Sequence, residues 1–81
     1  MTVRLLFFAV LRDITGASER TLTLVDGATP RQVWEELRSS HAKLAAYEQP
    51  PLVAINVEYA TPDTPLHEGD ELAFIPPVAG G

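Results

Sequence analysis

The sequence contains no cysteine, and basic residues are scarce. The absence of cysteine excludes disulfide frameworks, thiolate metal sites, iron–sulfur clusters and a cysteine nucleophile, and it suits a reducing compartment. Lysine occurs only at Lys43, and the six basic residues face eleven acidic ones, which gives a net charge of −5. Proteins that bind nucleic acids present clustered positive charge to the phosphates. Because no basic cluster is visible, we expect no nucleic-acid partner.

Long hydrophobic runs are also missing. The most apolar segment, Leu5–Leu11, is much shorter than the roughly 20 apolar residues that a membrane-spanning helix requires. Arg4 precedes this segment as in a secretory signal, but Asp13 follows closely and no small-residue cleavage site comes next. We therefore expect a soluble, cytoplasmic protein that has no membrane partner.

The sequence offers few side chains for catalysis or for cofactor binding. No glycine-rich loop joins a strand to a helix, so nucleotide binding is not expected. His67, Glu68 and Asp70 fall in a predicted turn without a fourth ligand, which argues against a metal site. A nucleophile, a base and an orienting group do not occur together. We expect the chain to bind no cofactor and to catalyse no reaction by itself.

The residues that are present are sufficient for one small globular domain. The chain has 81 residues, of which 46% are hydrophobic. The periodicity of the apolar residues predicts a strand over 3–8, a short helix over 9–14, a strand over 20–25, the main helix over 30–40, and strands over 52–59 and 71–75. The main helix has the clearest start, because Thr29, Pro30 and Gln32 match a capping box with proline at the first helical position.

The order of these elements predicts how the strands pair. The first two strands form an antiparallel hairpin, and the right-handed crossover rule allows the last strand to lie parallel beside the first, in the middle of the sheet. The predicted fold class is α+β, with the mixed sheet of a ubiquitin-like β-grasp crossed by one main helix. The domain covers residues 1–75, and a flexible, extended tail ending in Gly-Gly covers 76–81.

The sheet face opposite the main helix is predicted to be apolar. Strand alternation assigns to it Leu6, Phe8, Ala54, Ala73 and Ile75, with Tyr59 nearby at a strand end. In the strand over 52–59, the same alternation assigns Val57 to the core. An uncovered apolar face of this size usually marks a surface for a partner. The alternative is that short helices and loops cover part of it.

The last eight residues, Phe74–Gly81, carry the most informative functional signal. They combine an apolar pair, two prolines and a final Gly-Gly. Glycine has no Cβ and accepts positive φ, so Gly80 and Gly81 can thread a narrow channel, with the α-carboxylate of Gly81 as the reactive group. Chain ends are also often frayed and without function. Gly-Gly alone leaves both interpretations open.

Together these segments resemble the small subunit of molybdopterin synthase, the MoaD-type sulfur carriers. The resemblance is carried by Leu6–Ala9, Leu11–Asp13, Gly16, the proline-started helix, Ala54–Asn56, Pro65–Leu66, Gly69–Glu71 and Phe74–Gly81, and covers essentially the whole chain. It implies a β-grasp protein of molybdenum cofactor biosynthesis. In that role an E1-like, MoeB-type enzyme adenylates Gly81 with ATP and magnesium, and sulfur from a persulfide converts it to a thiocarboxylate. The thiocarboxylate donates sulfur to cyclic pyranopterin monophosphate in the active site of the large, MoaE-type subunit.

The resemblance also implies an interface and an assembly. The reactive end is Gly81 with Gly80 before it. The implied partner contacts are Phe8, Arg12, Tyr59, Phe74, Ile75, Pro76, Pro77, Val78 and Ala79. The chain is then the sulfur-donating subunit of a sulfurtransferase, in a heterotetramer of two large and two small subunits. A carrier for thiazole synthesis, a ubiquitin-like modifier of lysines, and an interaction module with an inert tail are the alternatives.

Overall fold

The computed structural model describes residues 1–47 and 51–75. The elements are β1 (Thr2–Phe7), α1 (Ala9–Thr15), β2 (Glu19–Thr23), α2 (Pro30–Ser40), a 3₁₀ helix (Ala42–Ala46), β3 (Leu52–Ile55), β4 (Glu58–Ala60) and β5 (Glu71–Ile75). The predicted tail over 76–81 lies outside the described residues. The division of the chain into a domain and a tail therefore stays a prediction.

The five strands form one mixed sheet in the order β2-β1-β5-β3-β4. β1 pairs with β5 in parallel and with β2 antiparallel, and β3 pairs antiparallel with both β5 and β4. The last strand is thus the central one, which confirms the predicted β-grasp topology. The crossover through α2 connects β2 to β3 on the far side of β1, and β5 then inserts between β1 and β3.

The main helix begins and ends where its sequence predicts. The Thr29 hydroxyl accepts from the Gln32 amide at 3.4 Å, and the Gln32 side chain accepts from the Thr29 amide at 2.9 Å. This capping box satisfies two amides that a helix start otherwise leaves unpaired. The shorter helix α1 ends at Gly16, whose φ of 75° is the left-handed cap conformation expected of glycine.

One face of the sheet and the apolar side of α2 enclose the core. Trp34 of α2 is fully buried, 5.1 Å from the ring centre of Phe74 and 6.1 Å from that of Tyr47. The other fully or nearly fully buried members are Val3, Leu5, Phe7, Leu11, Val33, Leu37, Leu44, Val53, Leu66 and Leu72. Ring pairs at these separations add to the stabilisation that burial provides. The opposite face of the sheet has no helix of comparable length over it in the described part of the chain.

The predicted single strand over 52–59 is wrong. β3 ends at Ile55, and a tight turn at Asn56 and Val57 reverses the chain into β4. Asn56 makes this turn possible: its amide nitrogen donates to the Asp70 carboxylate at 2.8 Å and its oxygen accepts from the Glu71 amide at 3.0 Å. The reversal removes Val57 from the core face to which alternation assigned it, and 88% of its surface is exposed.

An exposed ion pair connects the start of α2 to the loop before β5. The Arg31 guanidinium donates to both Asp63 carboxylate oxygens, at 2.8 and 3.1 Å. The hydrogen bond from Arg31, followed by its charge, lowers the pKa of Asp63 below the ordinary 3.8. The folded state therefore gains stability from this pair above pH 3.8, and loses it as the pH falls through the lowered pKa.

We expect Asp63→Asn to lower the free energy of unfolding slightly at neutral pH, because exposed pairs are screened by solvent. The difference from wild type should shrink as the pH falls below 3.8, where the wild-type carboxylate becomes protonated. Urea unfolding from pH 7 to pH 2 measures this difference. Glu36→Gln, an exposed acid on α2, is the control for a change of net charge. A difference that is constant over the whole pH range would contradict the prediction.

Candidate functional site

A row of paired residues crosses the sheet face opposite α2. Leu6 of β1 pairs with Ala73 of β5, Ala73 pairs with Ala54 of β3, and Ala54 pairs with Tyr59 of β4. The row begins and ends with a large side chain and has two methyl groups in the middle. Small side chains between large ones leave a depression, and the depression is apolar.

This depression, called here the outer groove, has a volume of about 270 Å³. Its lining residues are Leu6, Phe8, Ala54, Val57, Tyr59, Glu71, Ala73 and Ile75. The two alanines at its floor are only 7% and 8% exposed, whereas the ring of Tyr59 is 76% exposed. The predicted members of the outer face are all present, and the large ones are the accessible ones. Such a surface suits an apolar partner.

One end of the outer groove lies where β1 and β5 both finish. Phe8 continues the extended backbone of β1 and is 46% exposed, and Ala9 after it has a φ of 49° that turns the chain into α1. Ile75 is the last residue of β5 and pairs with Leu52, which is 59% exposed. Leu52 extends the apolar surface and is absent from our sequence-based set. Its parity with Ala54 is the signal that identifies it.

The other end of the outer groove is polar. Arg4 pairs across the parallel strands with Glu71, and their side chains form an ion pair. Asp70, beside Glu71, accepts from Asn56. Charged groups at one end and aliphatic or aromatic groups at the other give the groove a direction. A partner with an apolar centre and a polar rim matches this arrangement.

Of the predicted contact residues in the described part of the chain, all but one are accessible to a partner. Phe8, Tyr59 and Ile75 lie on the outer groove, and Arg12 is exposed on α1 one helical turn beyond Phe8. The prediction that Phe74 contacts a partner is wrong, because Phe74 has no exposed surface and packs on Trp34 in the core. Its parity along β5 points it to the side opposite Ile75. A side chain without accessible surface supports the sheet and is unavailable for contact with a partner.

The remaining predicted residues lie outside the described part of the chain. They are Pro76, Pro77, Val78, Ala79, Gly80 and Gly81. Their roles in partner contact and in sulfur transfer stay predictions. What the structure does give is the point from which they start, because Ile75 ends the central strand at the rim of the outer groove.

No group of three or more histidine, aspartate or glutamate side chains is placed to hold a metal ion within residues 1–47 and 51–75. Over the same ranges, no helix is long and apolar enough to cross a membrane.

Known proteins are similar to this chain in sequence over their full length. The chain is 35% identical to the molybdopterin synthase sulfur carrier subunit of Chlamydomonas reinhardtii, over all of both chains. It is also 35% identical to the protein of the same name from Escherichia coli, over 98% of this chain and 99% of the relative. The pattern is therefore matched from one end of the chain to the other.

Solved structures share the fold. The Haloferax volcanii HVO 2177 protein superposes with a TM-score of 0.87 at 30% identity, over all of this chain and 87% of that one. The small archaeal modifier protein 1 of H. volcanii gives 0.78 at 26% identity, over 95% of this chain and 98% of that one. A chain in the structure of the complex of subunits 1 and 2 of the Helicobacter pylori molybdopterin-converting factor gives a TM-score of 0.64 at 23% identity. The match covers all of this chain and all of that one, and it shows the fold alone.

Nearly the whole chain matches one protein family. Residues 5–81 match the ThiS family, and the match includes all five strands from the second half of β1 onward as well as the final Gly-Gly. Sheet order, capped helix and outer groove all lie within the matched residues. The chain therefore belongs to the ThiS family of β-grasp proteins.

Proposed function

We propose that this protein is the sulfur-carrier subunit of molybdopterin synthase and that Gly81 carries the sulfur as a thiocarboxylate. One observation carries the proposal: the central strand β5 ends at Ile75 on the rim of the outer groove, and the six residues that follow end in Gly-Gly. A partner seated on the groove therefore has the start of the reactive segment beside it. The full-length similarity to sulfur carrier subunits supports the same function.

The chemistry requires activation before sulfur is loaded. A carboxylate is a poor electrophile, so an E1-like adenylating enzyme first joins the Gly81 carboxylate to the α-phosphate of ATP, with magnesium, and pyrophosphate leaves. The outer sulfur of a persulfide donor then attacks the acyl carbon and AMP leaves, which gives an acyl disulfide. A thiol reduces its S–S bond, which releases the thiocarboxylate and leaves the donor sulfur in a disulfide with that thiol. The resulting thiocarboxylate is a strong nucleophile, and Gly81 has no side chain to obstruct its attack on the pyranopterin substrate. The chain itself supplies the reactive terminus and needs no bound cofactor.

The large subunit of the synthase is the proposed occupant of the outer groove. Phe8 and Tyr59 provide exposed aromatic anchors, and the Arg4–Glu71 pair provides a polar rim. Aromatic side chains in such positions dominate binding energies at interfaces. Pro76 and Pro77 restrict the backbone beyond Ile75, which lowers the entropy lost when the tail enters the partner. The assembly is a cytoplasmic heterotetramer, in which Arg12, Val78 and Ala79 add contacts.

Intact-mass measurement tests the proposal. The protein is incubated with the adenylating enzyme, ATP, magnesium, a persulfide donor and a thiol reductant, and its mass is compared with that of the untreated protein. We expect an increase equal to the difference between one sulfur and one oxygen atom, located at Gly81 by fragmentation. Omission of ATP is the control. A mass that never changes, while the adenylating enzyme loads a known carrier in parallel, would show that the proposal is wrong.

A ubiquitin-like modifier is the second candidate, and the similarity to the H. volcanii small archaeal modifier protein 1 favours it. The same activated Gly81 would then form an amide with a lysine of a target protein. The products distinguish the two functions, because an amide-linked conjugate resists hydroxylamine and runs as a larger species. Sulfur transfer to a pyranopterin leaves the carrier free and at its original mass.

A further inference from the structure

Val57 has a backbone conformation that valine rarely adopts. It follows Asn56 in the two-residue β3–β4 turn. The φ value is 71° at Val57 and 52° at Asn56. Positive φ at both central positions is the signature of a type I′ hairpin, for which Asn-Gly is the preferred pair. For a β-branched residue this conformation is a real outlier, because Cβ crowds the backbone. The valine makes the turn less favourable than glycine would.

Burial in the core does not account for this valine either. Its side chain is 88% exposed, although it is aliphatic. It lines the outer groove together with Tyr59 and Ala54, beside Glu71 at the polar end. An exposed aliphatic group in a strained position stabilises neither the turn nor the core. Backbone strain that is held by its surroundings is most often found where it serves a function.

The surroundings do hold the strain at this turn. The Asn56 side chain is hydrogen-bonded to the Asp70 carboxylate and to the backbone N–H of Glu71. The backbone N–H of Asn56 donates to the Glu71 carbonyl at 2.8 Å. These bonds attach the turn to the first residue of the central strand. The position of Val57 relative to the groove is therefore set before any partner arrives, so little entropy is lost when it is covered.

We infer that Val57 is a contact residue for the large subunit, and that the partner presents an apolar pocket that encloses its isopropyl group. The inference rests on the proposed function, in which the large subunit occupies the outer groove. It extends the contact surface from the strands to the β3–β4 turn. It also explains why a valine occupies a position that favours glycine or asparagine: the side chain is kept for the complex and carries a cost in the free protein.

Two substitutions separate the contact from the turn. Val57→Gly gives the turn its preferred pair, and Val57→Asn keeps positive φ while replacing the isopropyl group with a polar amide. We expect both to raise the urea midpoint of unfolding, because strain is relieved. We expect both to weaken binding to the large subunit by roughly tenfold or more, since a buried valine side chain contributes about that much. Calorimetry with the purified large subunit measures the dissociation constant.

Val25→Asn is the matched control. Val25 is 76% exposed and lies outside the outer groove, so its substitution should leave the dissociation constant unchanged. If wild type binds and Val57→Asn binds equally well, the inference is wrong while the proposed function stands. If the wild-type chain does not bind the large subunit at all, the proposed docking fails and the inference fails with it. A variant that binds more weakly although it is more stable supports a contact role, because a merely structural residue would not show both changes.

Discussion

Deleting Gly81 should abolish sulfur transfer to the pyranopterin substrate while leaving the unfolding transition of the domain unchanged. The deletion moves the terminal carboxyl to Gly80 and shortens the reach of the tail by roughly 3.5 Å. A misplacement of about 1 Å at a reacting atom can already reduce a rate 100-fold, so a shift of one residue leaves no productive geometry. The domain is unaffected because the core is formed by residues that precede the tail.

A single-turnover assay measures this effect most directly. The carrier is loaded chemically with a C-terminal thiocarboxylate, mixed with the large subunit and the pyranopterin precursor, and product formation is followed. Gly81→Ala is the matched control, since it keeps the length of the tail and adds one methyl group. We expect Gly81→Ala to be slower than wild type but active, and the deletion to be inactive. Activity of the truncated chain in this assay would contradict the carrier mechanism.

Phe74→Ala should reduce the free energy of unfolding by about 3–5 kcal/mol, the range for truncation of a buried phenylalanine. Phe74 has no exposed surface, lies in the central strand and packs on Trp34 at 5.1 Å. Its removal leaves a cavity between the sheet and α2. Small domains are stable by only about 5–15 kcal/mol, so the variant approaches the limit of folding. Urea unfolding followed by Trp34 fluorescence measures the loss.

Ile75→Ala is the control for Phe74→Ala, because the two residues are adjacent but face opposite sides of the sheet. Ile75 is half-buried on the outer groove, so its truncation should cost much less stability. Under the proposed docking it should weaken binding to the large subunit instead. Equal losses of stability in the two variants would contradict the assignment of Phe74 to the core and Ile75 to the partner surface.

The local features of this fold are readable from the sequence. The capping box joins Thr29 to Gln32, and the left-handed cap joins Gly16 to Arg12. In each case the bonded residues are no more than four positions apart, so a short stretch of sequence is enough to predict the helix end. Alternation likewise predicts which side of β5 Ile75 occupies. These predictions are confirmed because short-range geometry determines them and no distant contact opposes it.

The β3–β4 turn shows where this reasoning fails. Alternation continues without interruption from Val53 through Val57, and Asn56 is followed by valine instead of the glycine that completes the Asn-Gly signal of a tight hairpin. The turn is held instead by Asn56 bonding to Asp70 and Glu71, which are 14 and 15 residues away. The periodicity of apolar residues along a strand cannot predict a hydrogen bond between residues that are so far apart in the sequence. The same turn moves Val57 from the predicted core to the outer groove.

The sequence by itself determined the β-grasp topology and the placement of Gly-Gly after a central strand, because both follow from chain order, crossover handedness and side-chain parity. It also indicated the family through motifs that extend over the whole chain. Only the tertiary structure decided the shape of the outer groove: it exposed Val57 and Leu52, and it set two alanines side by side between Leu6 and Tyr59. The physical reason is that a surface is a property of residues from several strands, and their register is established only when the strands pair.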